Sequence, residues 1–192
     1  MGVATFAIDS FSGRGVVNTD NDESQLGRLM QTEDAYRAFE LLSKHPRIDA
    51  DRIMLMGFLR GAQATLVATL KRVQRAYAAS HGSEFAAYLA LYPNCSWTYR
   101  DDTDVADKPI HVFQGSADDY VAACRAYVAR VRASGERYPI YRIPRRSPCV
   151  RLAGAEATHA ASESTVHPEL PARGNGRRAD HQCENETTVF VQ

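Results

Sequence analysis

The sequence predicts an α/β fold in which a mostly parallel sheet has helices on both faces. Three observations lead to this prediction. Short segments that are apolar throughout alternate along the chain with longer segments in which apolar residues recur at helical spacing. The strand-like segments lack the polar alternation of a half-exposed strand, which is typical of parallel sheets buried on both sides. A length of 192 residues suits a single domain with a sizeable core.

Each predicted element follows from its local pattern. Apolar residues at helical spacing predict the helices, and Pro46 brings the first of them to an end. Glycines and small polar residues mark the loop at 10–15, and Gly135 ends the last helix. In chain order the prediction is a strand at 3–9, a helix at about 26–44, a strand at 53–58, a helix at 61–79, strands at 85–93 and 109–115, a helix at 121–134 and a strand at 138–144.

The last 48 residues differ from the rest of the chain. They contain one aromatic residue, Phe190, and only seven residues from Val, Ile, Leu, Met, Phe, Trp and Tyr, without a sustained period of 2 or 3.6. Such a segment buries too little apolar surface to offset its ordering entropy. We therefore expect a folded domain over 1–144 and an irregular or mostly disordered tail over 145–192.

Charge and hydropathy argue against several classes of partner. The chain carries 23 basic and 23 acidic residues, so no strong field favours nucleic acid, and the pair 177-RR-178 is too short for a phosphate-binding patch. No apolar run approaches the roughly 18–20 residues that span a bilayer. The N-terminus has no basic region and meets Asp9 early, so we expect no signal peptide, no membrane partner and, by default, a cytoplasmic location.

The turn at residues 57–61 has the outline of a nucleophile elbow. Gly57-Phe58-Leu59-Arg60-Gly61 follows an apolar strand and precedes a helix, as Gly-x-Ser-x-Gly does in enzymes whose serine attacks a carbonyl. The central residue here is Leu59, which has no nucleophilic atom. Two glycines at this spacing also occur in ordinary strand–helix turns, so the motif alone does not decide between the two interpretations.

A candidate acid follows a later strand. Asp118 and Asp119 lie just beyond the strand at 109–115, where a carboxylate can orient a catalytic imidazole. The alternative interpretation is an aspartate that caps the following helix. The order of turn and acid along the chain favours the catalytic interpretation.

Five segments together resemble the dienelactone hydrolase family of α/β-hydrolases. The resemblance covers about residues 2–144, with the motifs in order and at suitable spacing. The segments are 3-VATFAIDSFSGRG-15, 45-HPRIDADRIMLMGF-58, 85-FAAYLALYPNC-95, 108-KPIHVFQGSADDYV-121 and 124-CRAYVARVRASG-135.

This resemblance implies an α/β-hydrolase-like sheet and a defined chemistry. The chemistry is hydrolysis of a small-molecule ester or lactone, without a cofactor, through a Ser (or Cys)–His–Asp triad. It implies that Leu59 stands at the nucleophile position and that Asp118 is the acid. It also implies that the backbone amide of Arg60 is one oxyanion donor.

Departures from the family pattern predict a protein without catalytic activity. Leu59 cannot attack a carbonyl, and the family histidine, expected in a short turn after Pro144, is absent there. Members of the family also have strands before the one at residue 3, including a loop that supplies a second oxyanion donor. We expect those N-terminal strands to be missing, which would expose a sheet edge and promote aggregation.

The tail is compatible with a shifted reading frame. Codons can be chosen for 145-RRSPCVRLAG-154 whose next frame encodes Ala-Arg-His-Ala-Phe-Asp, which resembles the missing histidine turn. We hypothesise that the frame slips near Pro144. The nucleotide sequence tests this hypothesis, because codons incompatible with the second frame would exclude it.

An active enzyme that uses other residues is a second interpretation. It needs a nucleophile and a base at a recognisable spacing, and no pair in the sequence has one. The candidate nucleophiles and bases are Ser12, Ser116, Cys95, Cys124, His111 and His159.

A non-catalytic protein that binds a small molecule or a partner is a third interpretation. A small carboxylate or ester could occupy the remaining pocket, with Arg14 or Arg60 nearby. Both arginines are more often simply solvated. The oligomeric state is not predictable from these patterns.

The four cysteines have irregular spacing and no Cys-x-x-Cys motif. The sequence allows a disulfide between Cys95 and Cys124 in an oxidising compartment, but we expect four free thiols. Zinc ligands usually come in closely spaced pairs, which the tail lacks, so we expect no metal site. The tail residues considered as ligands are Cys149, His159, His167, His181 and Cys183.

Overall fold

In the computed structural model, the described residues form six strands of one sheet and four α-helices. The structure describes residues 2–19, 22–78 and 84–135, together with the backbone of strands at 140–143 and 187–191. The strands are β1 (Ala4–Ile8), β2 (Met54–Phe58), β3 (Ala87–Leu91), β4 (Ile110–Gly115), β5 (Ile140–Ile143) and β6 (Thr187–Val191). The helices are α1 (Arg28–Ser43), α2 (Arg60–Ala68), α3 (Lys71–Ala78) and α4 (Val121–Ala133).

The sheet is mostly parallel, in the order β1-β6-β2-β3-β4-β5. Strands β2 to β5 pair in parallel with one another. Only β6 pairs antiparallel, with β1 on one side and β2 on the other, so β1 points in the same direction as β2. The predicted fold class, α/β with a mostly parallel sheet, is confirmed.

The strand between β1 and β2 comes from the C-terminal part of the chain. Thr187 pairs with Ile8 on one side and with Gly57 on the other. We did not predict this strand, although its sequence, Thr-Thr-Val-Phe-Val, has high β-propensity. It lies within the tail that we expected to be mostly irregular, and residues 145–186 of that tail lie outside the described residues.

In the described ranges, the four helices pack on one face of the sheet. Leu55, Tyr88 and Val112, from three neighbouring strands, belong to a single buried cluster with residues of α1, α2, α3 and α4. Phe85 is fully buried in this cluster, and its ring contacts those of Phe39 and Tyr88 at centroid distances of 4.9 and 5.7 Å. Large aromatic rings such as these contribute much of the buried apolar area of a core.

Alternate residues of the same strands form a second cluster on the opposite face, which we call the elbow cluster. Its buried members are Met56, Leu91 and Tyr92, with Phe58, Leu59, Leu89 and Phe113 partly buried against them. None of the described helices α1–α4 contributes a residue to it. We expected helices on both faces of the sheet. Within the described ranges, the helices lie on one face.

The prediction of a single helix over 61–79 was wrong, because the chain forms two helices there. Helix α2 ends at Ala68 and α3 begins at Lys71. Between them the Lys71 amide donates to the Asp104 carbonyl oxygen at 3.0 Å, and Thr69 accepts from the Ala106 amide at 2.7 Å. These long-range bonds replace the intrahelical bonds of a continuous helix.

Candidate active site

Leu59 occupies a strained turn between β2 and α2. Its backbone has φ 47° and ψ −105°, which residues with a Cβ rarely adopt. Its amide donates to the Leu91 carbonyl oxygen at 3.0 Å, and its carbonyl accepts from the Gln63 amide at 3.0 Å. The neighbouring strand and the first turn of α2 therefore hold this conformation. A strand, a strained residue and a helix N-terminus in this order have the geometry of a nucleophile elbow.

A close approach of β2 and α2 explains the glycine spacing of the motif. A Cβ added to Gly57 would lie 2.1 Å from the carbonyl carbon and 2.2 Å from the carbonyl oxygen of Gly61. Both are backbone atoms, so no side-chain rotation could relieve the contact. Gly57 is therefore required by packing, whether or not Leu59 takes part in chemistry.

The side chain of Leu59 belongs to the elbow cluster. It is partly buried there beside Phe58, against Met56, Leu91 and Tyr92. The strained turn thus presents a hydrocarbon group in apolar surroundings. Partial burial of a leucine contributes on the order of 1–2 kcal/mol, which is comparable with the roughly 1–3 kcal/mol of backbone strain that it offsets.

Exchanging Leu59 for glycine or alanine separates the strain from the packing. Both substitutions remove the same contacts in the elbow cluster, but only glycine adopts a positive φ without steric cost. We expect the free energy of unfolding of Leu59→Gly to exceed that of Leu59→Ala by about 1 kcal/mol or more. The glycine variant should therefore unfold at a higher urea concentration. Equal midpoints for the two variants would show that the turn is not strained.

Tyr92 is a residue at this edge that the sequence analysis missed. It follows β3 with φ 56°, is 3% exposed, and its amide donates to the Phe113 carbonyl oxygen at 2.8 Å. Residues with positive φ thus follow both β2 and β3, and such residues cluster at functional sites. No local pattern marks Tyr92, because bonds to a neighbouring strand impose its conformation.

Arg60 begins α2, so its amide lies in the first turn of the helix. First-turn amides carry the positive end of the helix dipole, which suits the oxyanion role that the family resemblance implies. Its side chain is 13% exposed, donates to the carbonyl oxygens of Leu26 and Glu23, and pairs with the Glu23 carboxylate at 3.6 Å. Arg60 therefore holds the segment 23–26 beside the elbow.

Asp118 follows β4 at the same edge of the sheet as Leu59. It is partly buried, and its carboxylate accepts a hydrogen bond from the Tyr120 amide at 2.8 Å. Its carbonyl oxygen accepts from the amide of Val121, the first residue of α4, at 3.1 Å. This is an Asx turn just before α4, and the N-cap residue of that helix is Tyr120, so Asp118 is not the capping residue that the alternative interpretation predicted. Asp119 beside it is exposed.

Leu59 and Asp118 follow strands that have one strand between them. Because β3 separates β2 from β4, the two strand ends lie about 10 Å apart. In a catalytic triad an imidazole spans such a gap and hydrogen-bonds both groups. The predicted position of the family histidine follows Pro144, which lies outside the described residues.

The alternative nucleophile Ser12 is paired with an acid. It is exposed in a 3₁₀ turn beside Asp9, whose carboxylate accepts from the Ser12 and Phe11 amides at 3.0 and 2.9 Å. The Ser12 hydroxyl and these amides lower the pKa of Asp9 from its ordinary value. A carboxylate with a lowered pKa is a poor general base, so this pair does not activate Ser12.

The remaining alternatives lie in different surroundings. Ser116 is exposed in the turn after β4, and His111 is partly buried within β4 beside the Phe113 ring at a centroid distance of 6.4 Å. His159 lies outside the described residues, as do the tail cysteines and histidines considered for zinc. Among the residues that the structure describes, no group of three or more His, Cys, Asp or Glu could hold a metal ion.

Cys95 and Cys124 form a disulfide, so the expectation of free thiols was wrong for this pair. Their Cα atoms lie 4.9 Å apart, and the residues are 6% and 1% exposed. The fold brings the segment after β3 against α4, a contact that 29 residues of separation do not reveal in the sequence. A bonded cysteine has no thiolate, which removes both residues as nucleophiles.

The arginines considered for ligand binding have protein partners. The Arg14 guanidinium donates two hydrogen bonds of 2.8 Å to the Asp34 carboxylate and one of 2.8 Å to the Ser10 carbonyl oxygen. The bonds to Asp34 raise the pKa of Arg14. Arg60 is engaged by Glu23 and Leu26. A small carboxylate would have to displace these contacts.

Comparison with known proteins finds similarity at the level of solved structures. An acetyl ester-xyloside bifunctional hydrolase from Caldicellulosiruptor lactoaceticus superimposes with a TM-score of 0.44 and 17% identity over 62% of this chain and 55% of its own. A candidate carboxylesterase from Lactobacillus plantarum WCFS1 superimposes with a TM-score of 0.45 and 18% identity over 60% of this chain and 55% of its own. The chain spans about half the length of these structures.

The sequence matches no protein-family model and no curated protein. Within the described ranges, no helix has the length and apolar character needed to cross a bilayer.

Proposed function

We propose that this chain is a carboxylic ester or lactone hydrolase of the dienelactone hydrolase type that has lost its catalytic activity. The observation that carries this proposal is the backbone of Leu59, at φ 47° and ψ −105° between β2 and α2. Serine hydrolases use such a turn to expose a nucleophilic oxygen. A leucine in this conformation retains the strain without the chemistry.

The other described parts of the site support the same proposal. Asp118 follows the second strand beyond the elbow, where a triad acid belongs, and the Arg60 amide stands at the helix N-terminus that would face an oxyanion. Loss of the nucleophile alone lowers the turnover of a serine hydrolase by about 10⁶-fold. We therefore expect the scaffold to persist without hydrolysis.

No described contact favours the rival proposal of a small-carboxylate binding protein. That proposal relied on Arg14 and Arg60, and both guanidinium groups have protein partners. Saturable binding of a small ester or carboxylate without turnover would revive it.

Hydrolysis of p-nitrophenyl acetate and butyrate tests the proposed inactivity. We expect the unmodified chain to release p-nitrophenol no faster than the Leu59→Ala variant, which also lacks a nucleophile. Saturable turnover by the unmodified chain that persists after Asp118→Asn would contradict the proposal, because it would reveal chemistry independent of this site.

Restoring the hydroxyl tests whether the base is absent. We expect Leu59→Ser to gain less than about tenfold over the unmodified chain, because a serine without an imidazole is a weak nucleophile. A large gain that Asp118→Asn abolishes would support the assigned acid and would disprove the predicted loss of the histidine.

A further inference from the structure

The loop that follows β3 is attached to the fold mainly by side chains. In the part of the chain that the structure describes, residues 93–99 make no backbone–backbone hydrogen bond with another element. The Cys95–Cys124 disulfide joins the start of this loop to α4, and the Trp97 ring centroid lies 5.6 Å from the Arg28 guanidinium. A segment with so few backbone hydrogen bonds opens locally at a lower free energy than the sheet beside it.

Local opening of this loop uncovers one of the two sulfur atoms. Cys95 is 6% exposed and Cys124 is 1% exposed. Ser96 next to Cys95 is exposed, and Asn94 on the other side is half-buried. A small displacement of the loop therefore brings the Cys95 sulfur into contact with solvent, while Cys124 stays packed within α4.

The surroundings of Cys124 accommodate a reduced sulfur. Cys124 lies at the end of the first turn of α4, and helical side chains point towards the helix N-terminus, where backbone amides favour negative charge. A thiolate that leaves the bond is stabilised there. The Pro93 carbonyl oxygen lies 3.2 Å from Cys124 Sγ and 3.9 Å from Cys95 Sγ, so a protonated thiol has a hydrogen-bond acceptor in place.

We propose that the Cys95–Cys124 disulfide is a reversible redox link, which a dithiol reductant opens in the folded chain. A thiolate of the dithiol attacks Cys95 Sγ and expels the Cys124 thiolate, which leaves a mixed disulfide on Cys95. The second thiol of the reductant then displaces Cys95. The reductant ends as a disulfide, its two protons pass through solvent to the cysteine sulfurs, and the loop is detached from α4.

The link spans two segments of the candidate site. Cys95 follows Tyr92 by three residues, and α4 begins three residues after Asp118. The oxidised pair therefore fixes the segment after β3 against the segment after β4, at the edge of the sheet where Leu59 lies. Reduction releases this constraint. The inference depends on the contacts of the two cysteines and not on the proposed hydrolase function, so each is tested separately.

Trp97 is the only tryptophan of the chain and reports directly on this loop. We expect dithiothreitol to shift its fluorescence to longer wavelength and to increase its quenching by acrylamide, with the far-UV circular dichroism unchanged. Oxidised glutathione should reverse both changes. The Cys149→Ala/Cys183→Ala variant provides a background with a single cysteine pair. The Cys95→Ala/Cys124→Ala variant is the control, and its fluorescence should not respond to dithiothreitol.

The rate of reduction distinguishes local opening from global unfolding. If the reductant reached the bond only in the unfolded chain, each molar of urea would speed reduction by about fivefold or more. We expect a much weaker dependence below the unfolding transition. Ile53→Val, a change in the core at the opposite end of the strands, should leave the rate unchanged. Trp97→Ala should raise the rate, because it loosens the loop.

Several outcomes would overturn the proposal. These are reduction that follows the urea dependence of global unfolding, a reduced chain that loses its circular dichroism, and Trp97 fluorescence that does not change when the bond is reduced. Peptide mapping after brief exposure to reduced glutathione and an acid quench should find the mixed disulfide on Cys95, and its presence on Cys124 would contradict the proposed attack. The urea dependence needs no substitution at Trp97, so the test holds even if Trp97→Ala fails to fold.

Discussion

Replacing Gly57 by alanine is expected to abolish the stable folded state. The added Cβ would lie 2.1 Å from the Gly61 carbonyl carbon, 2.2 Å from its oxygen and 2.6 Å from the Ala62 nitrogen. Relief requires β2 and α2 to move apart, which disrupts the elbow and the buried face of α2. Overpacking typically costs about 1–3 kcal/mol, and a clash with backbone exceeds this, against a total stability of roughly 5–15 kcal/mol.

Urea unfolding followed by circular dichroism measures the effect, with Gly13→Ala as the matched control. A Cβ at Gly13 meets no atom within 4 Å, so we expect that variant to unfold within about 0.5 kcal/mol of the unmodified chain. A midpoint for Gly57→Ala equal to that of the control would show that β2 and α2 do not approach as described. The clash is independent of catalysis, so the result tests the fold of the elbow alone.

Removing the Cys95–Cys124 disulfide is expected to lower the free energy of unfolding by about 3–4 kcal/mol. The bond closes a loop with a sequence separation of 29 residues, and chain-entropy estimates assign this amount to a loop of that length. The double variant Cys95→Ala/Cys124→Ala removes the disulfide without leaving a polar group in the core. Cys95 is 6% exposed and Cys124 is 1% exposed. Urea unfolding with and without reductant gives the difference directly.

A second pair of cysteines provides the control for this experiment. The double variant Cys149→Ala/Cys183→Ala retains the Cys95–Cys124 disulfide. It should therefore lose stability when the disulfide is reduced, as the unmodified chain does. The Cys95→Ala/Cys124→Ala variant should be insensitive to the reductant. Equal stability of the unmodified chain in oxidising and reducing buffer would contradict the bond. In a reducing compartment the chain would lack this contribution.

Much of the fold could be predicted because its signals are local. The strand at 53–58, the turn around Leu59 and the helix after it follow from an apolar run, two glycines and helical spacing. The structure adds why the glycines stand four apart, since Gly57 faces the backbone of Gly61. The length of that helix was not predictable. Hydrogen bonds between residues 69–71 and residues 104–106 divide the predicted helix into two.

Parts of the candidate site could not be predicted from the sequence, because they depend on contacts between distant segments. The assignments of Leu59 and Asp118 came from the family resemblance and from their order along the chain, and the sheet places both after strands at one edge. Tyr92 was missed because its positive φ depends on a bond to Phe113 in another strand. The hydrogen bond from the Tyr120 amide to Asp118 became visible only in three dimensions.

The sequence by itself determined that this protein alternates apolar strands with helices and that a leucine stands between Gly57 and Gly61 in a strand–helix turn. Both follow from residue type and short-range spacing, which backbone geometry converts into local structure. Only the tertiary structure decided the insertion of Thr187–Val191 between β1 and β2, the joining of Cys95 to Cys124, and the burial of Leu59 among apolar side chains. These depend on which distant segments meet, and that choice is made by the packing of the whole sheet.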